Sequence, residues 1–216
     1  MRTGQGMGGV AANCNPWQMR SVSKALLVEG DISRPGEADR IEQAVVDRYG
    51  RLDSLVNNAG GAMVGGLLSL SDERWQADID LKLLGAMRMM CAAGRSSTAS
   101  AWPATSPTTS SCRQASSMLA LTKAAADELA SDQILVNAQI LTPPRRPRRQ
   151  DDHGPGMRTG GTSQQVHDYL VGATPLGRLA QPEDVAKAVL FYASDLATFL
   201  TGTSLTIDSG AHRAIA

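Results

Sequence analysis

The sequence predicts an α/β fold, a parallel sheet flanked by helices, and three observations predict it. Two short apolar runs, Ala25-Leu26-Leu27-Val28-Glu29-Gly30-Asp31 and Leu52-Asp53-Ser54-Leu55-Val56-Asn57-Asn58-Ala59-Gly60, stop abruptly at polar residues or glycine, as buried strands do on leaving a sheet. A stretch of helical period joins them into a strand–helix–strand unit, whose right-handed crossover makes the strands parallel neighbours or near neighbours. The 216 residues, 42% of them apolar, provide enough chain to bury the core of one domain, 1–216.

Composition narrows the function. Lys plus Arg and Asp plus Glu number 21 each, a balance that argues against a nucleic-acid partner. No apolar run reaches the roughly 18 residues of a membrane span, and the N-terminus has no basic-then-apolar signal pattern. Cys14, Cys91 and Cys112 have no metal-ligand or redox spacing and read as free thiols of a reducing cytoplasm. His153, His167 and His212 form no cluster, so no metal site is expected.

The opening Thr3-Gly4-Gln5-Gly6-Met7-Gly8-Gly9 follows only Met1 and Arg2. A glycine-rich turn before a helix exposes N–H groups to a pyrophosphate, but the same stretch also reads as an unstructured start. Ala11–Ser23 shows no clean period. Ala25–Asp31 reads as a strand whose Asp31 either contacts a ligand or opens the next helix. Ser33 and Pro35 start that helix, Ile41, Ala44, Val45 and Arg48 keep its period, and Gly50 ends it. Leu52, Leu55 and Val56 form the next strand. Its Asn57-Asn58-Ala59-Gly60 ending combines amides that both donate and accept with small residues that let a flat ligand approach the backbone. Ligands of open parallel sheets sit there, past the carboxyl ends of the strands.

Ser71-Asp72-Glu73 starts a long helix whose apolar face carries Trp75, Ile79, Leu81, Leu84, Met87 and Met90, the methionines as packing. Residues 94–114 are Ser-, Thr-, Pro- and Ala-rich without a period, and an irregular segment is expected. GC-rich codons chosen for Ser96–Arg113 and read one base earlier can encode an apolar strand with a glycine-rich end, so the segment is compatible with out-of-frame translation. Ala115–Ala130 restores a strong helix. Ile134–Leu141 reads as a strand. Arg145, Arg146, Arg148 and Arg149 could attract phosphate, or belong to a solvated, irregular loop that extends over 142–164. Pro182-Glu183-Asp184 begins a helix, and Thr201–Gly210 forms the last strand and its turn.

Taken in this order, Thr3–Gly8, Asp31, Asn57–Gly60, Asp80-Leu81-Lys82-Leu83-Leu84-Gly85, Val136-Asn137-Ala138 and Pro175–Ala186 resemble the short-chain dehydrogenase/reductase family. The resemblance implies a Rossmann-like doubly wound parallel sheet in three layers, here with its first strands missing or irregular over 1–23. It implies an NAD or NADP cofactor, a small carbonyl or alcohol substrate, and a homo-dimer or tetramer. It assigns cofactor contacts to Thr3, Gly4, Gly8, Asp31, Ile32, Asn57, Asn58, Ala59 and Gly60. The family reaction is hydride transfer in which a Tyr hydroxyl acts as acid and base, its pKa lowered by a nearby Lys ammonium. Asp80 occupies the family's catalytic Asn position, Ser111 its Tyr position and Ala115 its Lys position. Lys123 lies two turns beyond and reads as a surface lysine. Two expectations follow: an oxidoreductase of this type, or a non-catalytic relative that binds nucleotide or a partner subunit.

Overall fold

A computed structural model describes residues 25–60, 70–96, 100–106, 112–141 and 163–211. Four strands, Ser54–Asn57 (β1), Ser100–Ser106 (β2), Ala138–Leu141 (β3) and Ser204–Ile207 (β4), lie side by side in chain order, and every pair is parallel. The helices are Glu37–Tyr49 (α1), Asp72–Ile79 (α2), Gly85–Ser96 (α3), Cys112–Leu129 (α4), Ser163–Gly172 (α5) and Pro182–Tyr192 (α6). A π-helical segment, Asp80–Leu84, joins α2 to α3 without a break.

The strand alternation decides where the core sits. In β1, Leu55 and Asn57 are buried while Ser54 and Val56 are exposed. Leu55 meets Met90 and Ala93 of α3, Ala126 of α4, and Ile134 and Val136 on the approach to β3. One helix layer, α3 beside α4, therefore covers this face. α1 is tied to α3 through the Arg95–Asp39 ion pair. Gly50 ends α1 in the left-handed region, φ 79°, its N–H donating to the Val46 carbonyl at 2.7 Å. That conformation is cheap for glycine alone.

Two expectations are corrected. Ala25–Asp31 forms no strand. A strand needs a ladder, and among the described residues none runs beside it. Its backbone turns to α1 instead: the Arg40 guanidinium donates to the Glu29 carbonyl, and the Asp31 N–H donates to Glu37 Oε2 at 3.3 Å. Leu27 stays 63% exposed. The irregular stretch expected over 94–114 instead holds the end of α3, all of β2 and the start of α4. β2 lies between β1 and β3, and backbone pairing on both edges outweighs a composition poor in strand formers. Pro103 fits because the register slips there: Leu55 pairs with Ala101 but Asn57 with Ala104, a bulge that spares the missing N–H. Residues 1–23 and 142–162 lie outside the described residues, while Ser163 and Gln164 already belong to α5.

In the C-terminal half one buried amide adds side-chain ties to the β3–β4 ladder. Asn137, fully buried, donates to the Leu200 carbonyl at 2.8 Å and accepts from Thr203 N–H at 3.2 Å and Thr203 Oγ1 at 2.8 Å. Tyr192 Oη of α6 lies 3.2 Å from the same hydroxyl. α6 itself carries Pro182 at its start and a capping box between Gln181 and Asp184. Arg178 closes on Asp184 at 2.5 and 3.0 Å, which together with the Gln181 N–H holds that carboxyl far below its ordinary range.

Candidate functional site

In a parallel sheet each connecting helix starts at the carboxyl ends of the strands and runs back. The end of β1, the start of α2 and the start of α4 therefore face the same side of the molecule, the side where open α/β sheets take ligands. Asn57 ends β1 and is 8% exposed, Asn58 and Ala59 are exposed, and Gly60 is half-buried. The site begins with these four.

The Asp31 turn forms the next wall. Ser33 donates to Asp31 Oδ1 from its hydroxyl at 2.6 Å and from its N–H at 3.1 Å, and Arg34 Nε lies 3.2 Å from Oδ2. The Ser33 hydroxyl above all, helped by the Ser33 N–H and then the Arg34 charge, holds the Asp31 carboxyl below its ordinary value against the opposing effect of burial. Asp31 thus shapes its own turn, with 36% of its side chain exposed toward solvent. The turn is docked on the long helix: Arg88 Nη1 donates to the Ser33 carbonyl at 2.7 Å. Gly85 lets Ile32 come so near that an added Cβ would stand 3.0 Å from Ile32 Cδ1 and 3.2 Å from its carbonyl oxygen.

The π segment forms the third wall. Such bulges are frequent at functional sites. Asp80, expected at the family's Asn position, starts it and accepts from Gln76 Nε2 at 3.0 Å, a bond within its own helix. Asp78 and Lys82 were not singled out by sequence. Lys82 Nζ lies 2.7 Å from Asp78 Oδ1, and each side chain is only 7% exposed. Asp78 Oδ2 is buried with no hydrogen-bond donor among the described residues. A carboxylate oxygen left so costs about 1–3 kcal/mol or more. The signal was an Asp and a Lys four residues apart inside an otherwise apolar helix pattern.

α4 closes the site. Ala86 of α3 packs with Met118 of α4, and Leu83 and Leu121 join them. Ala115 lies in the first turn of α4, and an alanine carries no group that titrates. Ser111 lies outside the described residues, as do Thr3, Gly4 and Gly8. Lys123 is exposed, facing Gly202. The structure thus joins Asp31 and Ile32 to the helix that covers β1, and leaves Asp80 to contacts of its own helix. Among the described residues no group of three or more His, Cys, Asp or Glu could hold a metal ion, and no helix is long and apolar enough to cross a membrane.

Comparison with known proteins bears on this arrangement. A family model described as enoyl-(acyl carrier protein) reductase matches residues 10–212. An uncharacterized oxidoreductase of Methylorubrum extorquens is 30% identical over 197 residues, covering 87% of this chain and 77% of that protein. A 3-oxoacyl-(acyl-carrier-protein) reductase of Synechocystis is 30% identical, covering 87% and 76%. A meso-2,3-butanediol dehydrogenase of Serratia marcescens is 27% identical, covering 87% and 75%. The solved structure of a short-chain type dehydrogenase/reductase from Mycobacterium ulcerans superposes with a TM-score of 0.66 at 25% identity, over 84% of this chain and 68% of that one.

Proposed function

Because the chain belongs to the short-chain dehydrogenase/reductase family, we propose that it is an NAD(P)-dependent oxidoreductase acting on a small carbonyl or alcohol. The observation that carries the reading is the end of β1: Asn57 to Gly60 stand at the carboxyl edge of a parallel sheet, beside a helix that also holds the Asp31 turn. These residues fit a dinucleotide. The exposed Asn58 amide can both donate and accept, Ala59 and Gly60 leave the backbone approachable, and the buried Asp78 Oδ2 has no donor among the described residues. When bound, the dinucleotide supplies or takes the hydride. The chain's own part would be to orient it: Asn57–Gly60, Ile32 and Asp31 would hold it, joined by Thr3, Gly4 and Gly8 as the family resemblance of the sequence implies. Two of the relatives named above are a 3-oxoacyl-(acyl-carrier-protein) reductase and a meso-2,3-butanediol dehydrogenase, and a 3-oxoacyl or a diol substrate is part of the proposal. So are a single domain over 1–216, a cytoplasmic location and a homo-dimer or tetramer.

A second reading has its own observation. Ser111 and Ala115 stand where the family has Tyr and Lys, so no acid–base pair is present at those two positions. A relative that binds the dinucleotide without turning over a substrate is consistent with that. One experiment separates the two: thermal unfolding with and without NADH and NADPH, followed by a turnover assay with meso-2,3-butanediol and a 3-oxoacyl thioester. A ligand at about 100 times its dissociation constant adds roughly 2.7 kcal/mol and raises the midpoint by several degrees. A shift with turnover supports the enzyme, a shift without turnover supports the binding protein, and no shift with either nucleotide refutes both.

A further inference from the structure

Asp78 and Lys82 bury a charge pair where packing alone calls for none. The ammonium and one carboxylate oxygen satisfy each other at 2.7 Å. The second oxygen, Asp78 Oδ2, is buried and has no donor among the described residues. The pair is placed at the site and not behind it. α2 begins on the side of the carboxyl end of β1, and the π segment that carries Lys82 continues the same helix into Gly85. Leu83, next to Lys82 in the π segment, packs with Ala86 and Met118. Gly85 abuts Ile32, and Ala86 packs with Met118 of α4. The pair therefore stands on the stretch of helix that meets both the Asp31 turn and α4.

We propose that Asp78 and Lys82 bind a ligand hydroxyl, the Lys82 ammonium donating to its oxygen and Asp78 Oδ2 accepting its hydrogen. A hydroxyl is the group that suits an ammonium and a carboxylate oxygen side by side, since it both accepts and donates. It comes either from a ribose of the dinucleotide or from an alcohol substrate. The inference rests on the dinucleotide reading above and deepens it by giving the site a polar contact that the family positions at Ser111 and Ala115 do not supply.

The test uses the full chain, with NADH and NADPH titrated alone and in the presence of meso-2,3-butanediol. The variants are Asp78→Asn, Lys82→Met and the double variant Asp78→Leu/Lys82→Met. The double variant keeps the test clear of misfolding, because replacing a buried ion pair by apolar residues of similar volume is often neutral or stabilising. If the pair holds a ribose hydroxyl, dinucleotide affinity falls by about tenfold or more in every variant that unfolds cooperatively. If it holds the substrate hydroxyl, dinucleotide affinity is kept and the further rise in unfolding midpoint given by the diol is lost. If the double variant binds dinucleotide and diol within about twofold of the original chain, or does not fold, the pair is structural and the inference is overturned. If the original chain binds neither nucleotide, the functional reading itself fails and takes this inference with it.

Discussion

Removing the Asn137 amide should cost this protein about 3 kcal/mol. Asn137 is 0% exposed, and its side chain makes three hydrogen bonds: to the Leu200 carbonyl at 2.8 Å, from Thr203 N–H at 3.2 Å and from Thr203 Oγ1 at 2.8 Å. Each contributes about 1 kcal/mol net, and Asn137→Ala removes all of them. Leu200 and Thr203 are half-buried, so water reaches the groups left behind and the full desolvation penalty does not apply. For a chain of this length, 3 kcal/mol corresponds to a drop of roughly 6–12 °C in the unfolding midpoint. Urea unfolding gives the free energy at constant slope, and calorimetry the midpoint. Thr203→Val removes one of the three bonds and also the 3.2 Å contact with Tyr192. It should cost about 1 kcal/mol, and the double variant should cost less than the sum, because the two share a bond. A loss below about 1 kcal/mol for Asn137→Ala, at unchanged urea slope, would refute the idea that this amide fastens β3 to the segment before β4.

Gln139, 2% exposed on β3, has neither amide atom bonded among the described residues; Gln139→Leu should stabilise the fold by about 1–3 kcal/mol, and urea unfolding that shows a loss would contradict this. Gly85→Ala gains about 1 kcal/mol of helix propensity but drives a Cβ to within 3.2 Å of the Ile32 carbonyl; overpacking at about 1–3 kcal/mol outweighs the gain, so the midpoint should fall. Asp31 has a carboxyl held below its ordinary value in the folded chain by the Ser33 hydroxyl and Arg34. Its contribution is present above the unfolded pKa, about 3.9, and is lost as pH falls through the lower folded value. Midpoints measured from pH 6 to about 2.5 should therefore drop more steeply for the original chain than for Asp31→Asn.

Legibility followed the physics of each segment. α1 was readable because Pro35, the Ile41–Val45 spacing and Gly50 are local signals, and the helix runs from Glu37 to Tyr49, with Gly50 in the left-handed turn. The end of β1 was readable because an apolar run meets two asparagines there. β2 was not: its residues carry no strand pattern, and it forms from ladder bonds to β1 and β3, partners distant in sequence. The reverse failure occurred at Ala25–Asp31, which has the composition of a strand without a described neighbour to pair with. At the site, Asn57–Gly60 and the Asp31 turn were visible as motifs. Asp78 and Lys82 were hidden, because in a helix only the fold decides whether an i,i+4 pair lies on the solvent face or the buried one.

That last pair also bears on what stability can explain. An exposed Asp–Lys pair four residues apart contributes a few tenths of a kcal/mol. Buried at 7% exposure each, the same two residues must shed their hydration, and apolar side chains of similar size would leave the fold as stable or more so. Three other buried polar side chains of this core have local reasons: Thr122 Oγ1 bonds the Met118 carbonyl at 2.8 Å, Thr174 Oγ1 bonds the Val171 carbonyl at 2.7 Å, and Asn137 bonds Leu200 and Thr203, whereas Gln139 is a neutral amide without the cost of a buried charge. Asp78 completes only half its bonding, and it does so inside a helix whose regular turn is interrupted two residues later by the π segment. A costly charge pair, a carboxylate oxygen without a donor among the described residues and a π segment coincide within seven residues of the helix that follows β1. Folding free energy accounts for none of the three, whereas a bound polar ligand accounts for the first two directly and for the third as the distortion that aims the pair.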